Sequence, residues 1–230
     1  LEAAGRKALP DVTEGLRRLF YVEDLGCQAF AWLFSRFGGE RLWDAAAAPG
    51  GKTLALSRFH QYRTHLAGDL FPTRLTKMRQ NLDRFGTGAF VAAIDARQPA
   101  LRAGFFDRIL LDAPCSGTGV LRKNPEARWR LEPGTFSACA VRQGQIVEAV
   151  LPFLSPGGLL LYMTCSLEPE ENEEVVSGIL CAHPEMELVK RDPRFPAEML
   201  AFQEKTGFFR MLPSEETDGF SGVLLKKAEG

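Results

Sequence analysis

The 230-residue chain lacks any apolar run able to cross a bilayer as a helix. Its longest uncharged stretch, residues 149–167, is broken by Pro152, Pro156, Gly157 and Gly158. A spanning helix needs about 20 successive apolar residues, so a buried helix end, a turn and a buried strand explain the stretch better. No membrane association is expected. Cysteine is scarce: five residues, at positions 27, 115, 139, 165 and 181, an odd number with no C-x-x-C. That pattern argues against structural zinc and against a disulfide framework. The three histidines, at 60, 65 and 183, show no ligand spacing, so no metal is expected. Reduced thiols point to a cytoplasmic protein. The opening Leu-Glu-Ala-Ala-Gly-Arg-Lys is not a signal peptide, and a start at Leu1 suits a piece of a longer protein. Internal repeats and low-complexity linkers are also missing. Neither sign of charge is in excess: 28 basic against 29 acidic residues leave a net charge of −1.

What is present reads as one ordinary globular domain. Hydrophobic residues make up 45% and charged residues 25%, which excludes a disordered chain and supports a sizeable core. The charge is segregated along the chain. Arg74, Lys77, Arg79 and Arg84 cluster in one segment, and Arg122, Lys123, Arg128 and Arg130 in another. Residues 168–204 hold ten acids against three bases. Two basic segments leave room for a polyanion on one face, although solvated helix faces would show the same composition.

Patterning alternates strands with helices. A helix is expected over residues 27–37, stopping at Gly38-Gly39, then strands over 41–45, 64–69, 89–95 and 106–112. Pro72 marks a helix start, with Gly86 beyond its end. A helix over 135–154 has Thr135 as its expected N-cap. A strand over 158–164, a helix over 168–181 and strands over 208–212 and 220–226 complete the chain. Such alternation predicts a doubly wound α/β fold with a mostly parallel sheet, in which ligands bind at the carboxyl ends of the strands. Asp69, Asp95 and Asp112 all fall at such ends.

The first strand runs into Ala46-Ala47-Ala48-Pro49-Gly50-Gly51-Lys52-Thr53. Gly50-Gly51-Lys52-Thr53 is similar to the tail of a phosphate-binding P-loop, so a nucleotide hydrolase is the rival reading. That motif needs glycine at position 46, where Ala46 stands, and no G-x-G-x-x-G occurs. A ring of carboxylates without a basic clamp suits a cationic nucleoside such as S-adenosylmethionine better than ATP, with Asp69 placed for ribose hydroxyls.

Two cysteines stand at strand ends. Asp112-Ala113-Pro114-Cys115-Ser116-Gly117 follows the fourth strand and Thr164-Cys165-Ser166 the fifth, so neighbouring strands would bring both thiols to one rim. Cys27, Cys139 and Cys181 lie in helical patterns and read as inert core thiols. The segments 44–53, 112–119 and 164–172 resemble the Sun/Fmu group of RNA cytosine-5 methyltransferases. The likeness extends to Lys123-Asn124-Pro125-Glu126-Ala127-Arg128-Trp129 and to Leu212-Pro213 and Thr217-Asp218-Gly219-Phe220, so it covers about residues 20–226. It is greatest to the bacterial 16S ribosomal RNA enzymes. Two departures stand out: Ala46 where the group often has Cys, and Phe71 where an acid is common.

The resemblance implies a Rossmann-like S-adenosylmethionine-dependent methyltransferase domain over residues 41–230, after a helical lead-in over 1–40. It implies S-adenosylmethionine as cofactor, S-adenosylhomocysteine as product and RNA, most of all ribosomal RNA, as partner of a monomeric enzyme. Ala46, Ala47, Ala48, Pro49, Gly50, Gly51, Lys52, Asp69, Arg74, Asp95 and Asp112 would hold the cofactor, with Asp69 at the ribose and Asp95 at the adenine edge. Cys165 would attack cytosine C6, Cys115 would serve release, and Asp112 would hold the base, the methionine moiety or both. Lys123, Arg128 and Trp129 are candidate RNA contacts, combining charge with a stacking surface. A catalytically silent RNA-binding module with the same fold is the third reading.

Overall fold

The computed structural model describes residues 21–229. Five strands run parallel: β1 (Arg41–Asp44), β2 (Thr64–Asp69), β3 (Phe90–Ala93), β4 (Phe106–Asp112) and β5 (Leu154–Thr164). Three more, β6 (Met186–Leu188), β7 (Phe209–Met211) and β8 (Phe220–Lys227), pair antiparallel. The order is β3-β2-β1-β4-β5-β8-β6, and β7 shares the outer edge of β8 with β6. The chain thus grows from β1 to one side, then crosses back to β4 on the other.

Parallel strands buried on both faces need apolar residues throughout. Ile109, Leu110 and Leu111 on β4 and Leu160 to Met163 on β5 meet that need, all essentially without exposure. Alternate residues divide between two cores. Ile109, Leu111, Leu160 and Tyr162 pack against Ile146, Val147 and Val150 of α4 (Thr135–Val150) and Val175, Val176 and Ile179 of α5 (Glu173–Ala182). On the opposite face Leu110, Leu161 and Met163 meet Phe30, Leu33 and Phe34 of α1 (Leu25–Ser35) and Leu56 of α2 (Gly51–Phe59). A third cluster seats Met78 and Leu82 of α3 (Pro72–Arg84) on Ala67 and Leu54. Each fully buried side chain of this size contributes roughly 1.5–3 kcal/mol. Helices on both faces of a largely parallel sheet make the expected doubly wound α/β fold.

Several boundaries depart from expectation. Helix α1 starts at Leu25 rather than residue 27, because the Asp24 side chain accepts the Gly26 N–H and caps it. Thr135 is not the N-cap of α4: Gly134 is, at φ 87°, and the Thr135 hydroxyl instead accepts the Glu132 N–H. That helix ends at Val150, where Pro152 lies in a short 3-10 turn and β5 follows at Leu154. The expected helix over 168–181 is split by Asn172, whose side chain bonds Thr164 and the carbonyls of Ser166 and Glu168. Strand β3 ends at Ala93, which leaves Asp95 beyond it. Strand β6 and the short α6 (Ala197–Leu200) were not expected, being too brief to carry a period.

Candidate active site

The carboxyl ends of β1, β2, β4 and β5 open on one cavity of about 490 Å³, a volume typical of small-molecule sites. Its position beside β1, where the strand order reverses, is where such sheets bind ligands. Ala45, Ala46 and Ala48 form one wall, Asp69, Phe71 and Arg74 a second, and Ile94, Asp95 and Arg97 a third. Asp112, Cys115 and Cys165 close the far end with Arg142 and Ile146 of α4.

Local structure explains each position. Gly50 caps α2 at φ 100°, a conformation that L side chains rarely adopt, and lets the loop turn straight from β1 into the helix. Asp69 ends β2 almost fully buried; its Oδ1 accepts the Phe71 N–H at 3.0 Å and its Oδ2 the Ala48 N–H at 3.2 Å. The Arg74 guanidinium stands 3.7 Å from the same Oδ2 and 5.6 Å from the centre of the Phe71 ring. Carboxylate oxygens carry two lone pairs each, so capacity remains for a ligand's hydroxyls. Arg97 grips Asp95 through two side-chain hydrogen bonds, 3.0 and 2.8 Å, which hold its carboxyl below the usual range.

Asp112, the last residue of β4, borders a second cavity of about 180 Å³. Here lie Ala47, Pro49, Gly51 and Lys52, together with Tyr21, Glu23, Cys27 and Asp44. Lys52 Nζ donates to Asp112 Oδ2 at 2.7 Å. Burial works against the ammonium charge, but Asp112 and then Cys27 together more than offset it and hold Lys52 well above its ordinary range. A P-loop lysine reaches a nucleotide's phosphates; this one is bound to a carboxylate, which counts against the hydrolase reading. Burial raises Glu23 and Asp44 to about 7 and pushes the Cys27 thiol up to about 12. The expected residues therefore divide between the two cavities, with Ala46, Ala48 and Asp112 shared and Gly50 lining neither.

The thiols of Cys115 and Cys165, 50 residues apart in sequence, stand with Sγ atoms 3.2 Å apart. Register explains it: Asp112 pairs with Met163 across β4 and β5, so both strands release their next residues at one level. Hydrogen bonding to Cys165, then burial, then the charges of Cys165, Asp112 and Glu171 hold Cys115 well above the ordinary thiol range. The Cys165 carbonyl accepts the Gly119 N–H at 2.9 Å. A β-carbon on Gly119 would lie 2.3 Å from the Gly219 carbonyl oxygen, so only glycine fits there.

The other sequence expectations fare unevenly. Trp129 is 77% exposed, with the Arg128 guanidinium 4.7 Å over its ring, so it is a surface platform and not a core aromatic. Lys123 is exposed but already paired within the chain: its Nζ bonds Asp24 at 2.6 Å and Asp218 at 2.7 Å, joining the start of α1 to the approach to β8. Cys181 is exposed and so is not a core thiol, whereas Cys27 packs against the core while also lining the small cavity. Sequence reasoning missed Glu23, Arg97 and Arg142, which carry no motif spacing, and gave no role to Glu171, although it lies inside a segment that carried the resemblance.

Among the described residues no group of three or more His, Cys, Asp or Glu could hold a metal, and no helix is long and apolar enough to cross a membrane. The family model of 16S rRNA methyltransferase RsmB/F matches residues 32–226. Ribosomal RNA small subunit methyltransferase B of Yersinia pseudotuberculosis is 40% identical over 171 residues, 74% of this chain and 40% of that protein. The Yersinia pestis protein of the same name gives the same figures, so the chain spans about two fifths of these relatives' length. Among solved structures, NSun6 from Pyrococcus horikoshii with SFG is 28% identical at a TM-score of 0.80, covering 97% of this chain and 57% of that one. A methyltransferase homolog from the same organism is 28% identical at 0.74, covering 96% and 72%.

Proposed function

Because the chain belongs to the RsmB/F family of 16S rRNA methyltransferases, we propose that it transfers a methyl group from S-adenosylmethionine to C5 of a cytosine in 16S ribosomal RNA, through a covalent bond between Cys165 and cytosine C6. The observation that carries this reading is the pair of thiols, 3.2 Å apart at the end of a nucleoside-sized cavity. A hydrolase or a silent binding module needs no such pair.

The residues fit the cofactor. Asp69 offers a buried carboxylate to ribose hydroxyls, between Phe71 and the small residues of the loop, and Asp95 offers an acceptor near Ile94 and Ala96. When bound, S-adenosylmethionine supplies an electrophilic sulfonium methyl. Asp112 keeps one carboxylate oxygen outside its bond to Lys52, available to a cytosine amino group or a ligand ammonium.

Cytosine C5 is a weak nucleophile. Addition of the Cys165 thiolate to C6 forms a C–S bond and pushes electron density to C5 and the ring nitrogen, so C5 can take the methyl group. Cys115, held protonated, donates its S–H toward the thiolate before attack. Once Cys165 is a thioether, the largest cause of the raised Cys115 pKa is gone. Cys115 can then lose its proton to solvent and take the proton from C5. The electrons of that C–H bond re-form the C5–C6 double bond, and Cys165 leaves as a thiolate. The base must leave any stack to reach this depth.

The test is a denaturing gel with labelled RNA and S-adenosylmethionine. Cys115→Ala should accumulate an RNA adduct that survives denaturant, and Cys165→Ala should give neither adduct nor product. Turnover alone cannot assign the roles, since both variants lose it. An adduct in Cys165→Ala but not in Cys115→Ala would reverse the assignment.

A further inference from the structure

Glu171 has no exposed surface, yet its carboxylate joins the two cysteine loops. Its Oε1 accepts the hydroxyls of Ser116 and Ser166, the second at 2.7 Å. Its Oε2 accepts the Ser116 N–H at 2.9 Å and Gln143 Nε2 at 2.8 Å. Ser116 follows Cys115 directly, and Ser166 follows Cys165. Gln143, equally buried on α4, also donates to the carbonyl of Pro114, the residue before Cys115, at 3.1 Å. Tyr162 fixes the backbone of Glu171 itself, donating to its carbonyl at 2.6 Å.

Among the described residues Glu171 forms no ion pair. A buried carboxylate without a counter-ion is strongly unfavourable unless hydrogen bonds satisfy its lone pairs. An apolar residue would close this core more cheaply. Three of the four side-chain bonds go to the serines that follow the thiols, so the charge is tied to the geometry of the cysteines.

We propose that Glu171 is a positioning residue for the reaction: its carboxylate clamps the Cys115 and Cys165 loops together so that both sulfurs meet one cytosine. This rests on the methyltransferase reading above. The clamp acts across β4 and β5, whose register sets the level of the loops but not the distance between their sulfurs. Asn172 braces the second loop from behind, donating to the carbonyls of Ser166 and Glu168. The negative charge of Glu171 is also one of those that hold the proton on Cys115.

Two variants test the clamp. Glu171→Gln keeps the shape; its carbonyl can still accept from Ser116 N–H and Gln143, while its amide donates to the hydroxyls, but the charge is gone. Ser116→Ala combined with Ser166→Ala keeps the carboxylate and cuts the hydroxyl links. Both should bind S-adenosylhomocysteine as the parent does, because Glu171 lines neither cavity. In both, kcat for methyl transfer should fall by about 100-fold, the cost of a misplacement near 1 Å, with KM for RNA unchanged. In Glu171→Gln the basic limb of the pH–rate profile should also move to lower pH.

A readout free of RNA comes from diamide, which takes two electrons and two protons from Cys115 and Cys165 as they close a disulfide. That closure, read by mass spectrometry and compared at equal thiolate fraction from its pH dependence, should be on the order of tenfold slower in both variants. Variants that bind S-adenosylhomocysteine and yet match the parent in kcat and in closure rate would overturn the clamp. If the parent methylated no RNA cytosine, the functional reading would fail, and the closure rates would still decide the role of Glu171. If Glu171→Gln failed to fold, the double serine variant would decide it.

Discussion

Asp69 already serves the protein by accepting two backbone N–H groups, so its remaining acceptor capacity is what a bound ribose would draw on. Asp69→Ala should weaken S-adenosylhomocysteine binding by roughly tenfold or more, since hydrogen bonds to a charged group contribute about 1.5–3 kcal/mol each. Calorimetry showing unchanged affinity would remove Asp69 from the site. His65 makes a different kind of residue-level test. Burial lowers its pKa from 6.5 to about 4, and its Nδ1 meets the Ser57 hydroxyl at 3.1 Å. Between those pH values the unfolded chain binds a proton that the folded chain refuses. The contribution is therefore complete above pH 6.5 and is lost as pH falls toward 4, by up to about 3 kcal/mol. Glu23 and Asp44, raised to about 7, act in the opposite sense, so the comparison must be with a variant. The Tm of His65→Gln, taken relative to that of the parent at each pH, should therefore rise as pH falls from 6.5 to 4. Parallel Tm curves for the two proteins would show that the imidazole is not the titrating group.

At the scale of elements, the site is assembled by loops that lean on one another after the strands end. The Gly219 N–H donates to the Gly119 carbonyl at 2.8 Å, while the Gly119 N–H holds the Cys165 carbonyl. The loop before β8 thereby supports the loop that carries Cys165. Gly119→Ala would set a β-carbon against backbone rather than a yielding side chain. It should reduce the rate of the covalent RNA adduct sharply while leaving S-adenosylhomocysteine affinity near its original value. An unchanged adduct rate would show that the two loops are independent. The Asp24 cap of α1 has the same character, because it also takes the Thr217 hydroxyl, the Asp218 N–H and the Lys123 ammonium. One helix start, one basic loop and the approach to β8 therefore meet at a single carboxylate.

For the whole molecule, charge segregation survives folding only in part. The acidic stretch after β5 is partly neutralised inside the protein: Arg210 pairs with Glu173 and Glu204, Arg194 with Asp192, and Glu171 is buried. On the basic side Lys123 is committed to Asp24 and Asp218, whereas Arg128 and Trp129 project outward. RNA binding should weaken as salt rises, because each phosphate contact releases counter-ions. Arg128→Glu should weaken it further and reduce the slope of log affinity against log salt by roughly one. Lys123→Glu should lower Tm instead, by setting a carboxylate against Asp24 and Asp218 in place of the ammonium that joins them. Filter binding across a salt series, with Arg128→Glu indistinguishable from the parent, would reduce that surface to solvated charge.

Sequence by itself determined the sheet and the cast of the site. Parallel strands buried on both faces must be apolar throughout, so residues 106–112 and 158–164 announced themselves, and the acids at Asp69 and Asp112 marked where those strands stop. The paired Pro-Cys and Thr-Cys segments were local and legible for the same reason. Tertiary structure alone decided which side chains face one another. Nothing in composition or spacing tells that Lys123 pairs with Asp218, because that contact depends on where β8 returns beside β5. Nor could spacing show Glu171 reaching Ser116, 55 residues earlier: an unbroken helix over 168–181 was the natural reading, and it breaks because Asn172 bonds the backbone of the turn before it. Local propensity sets the elements, whereas a buried carboxylate finds its donors only after two strands have fixed their register.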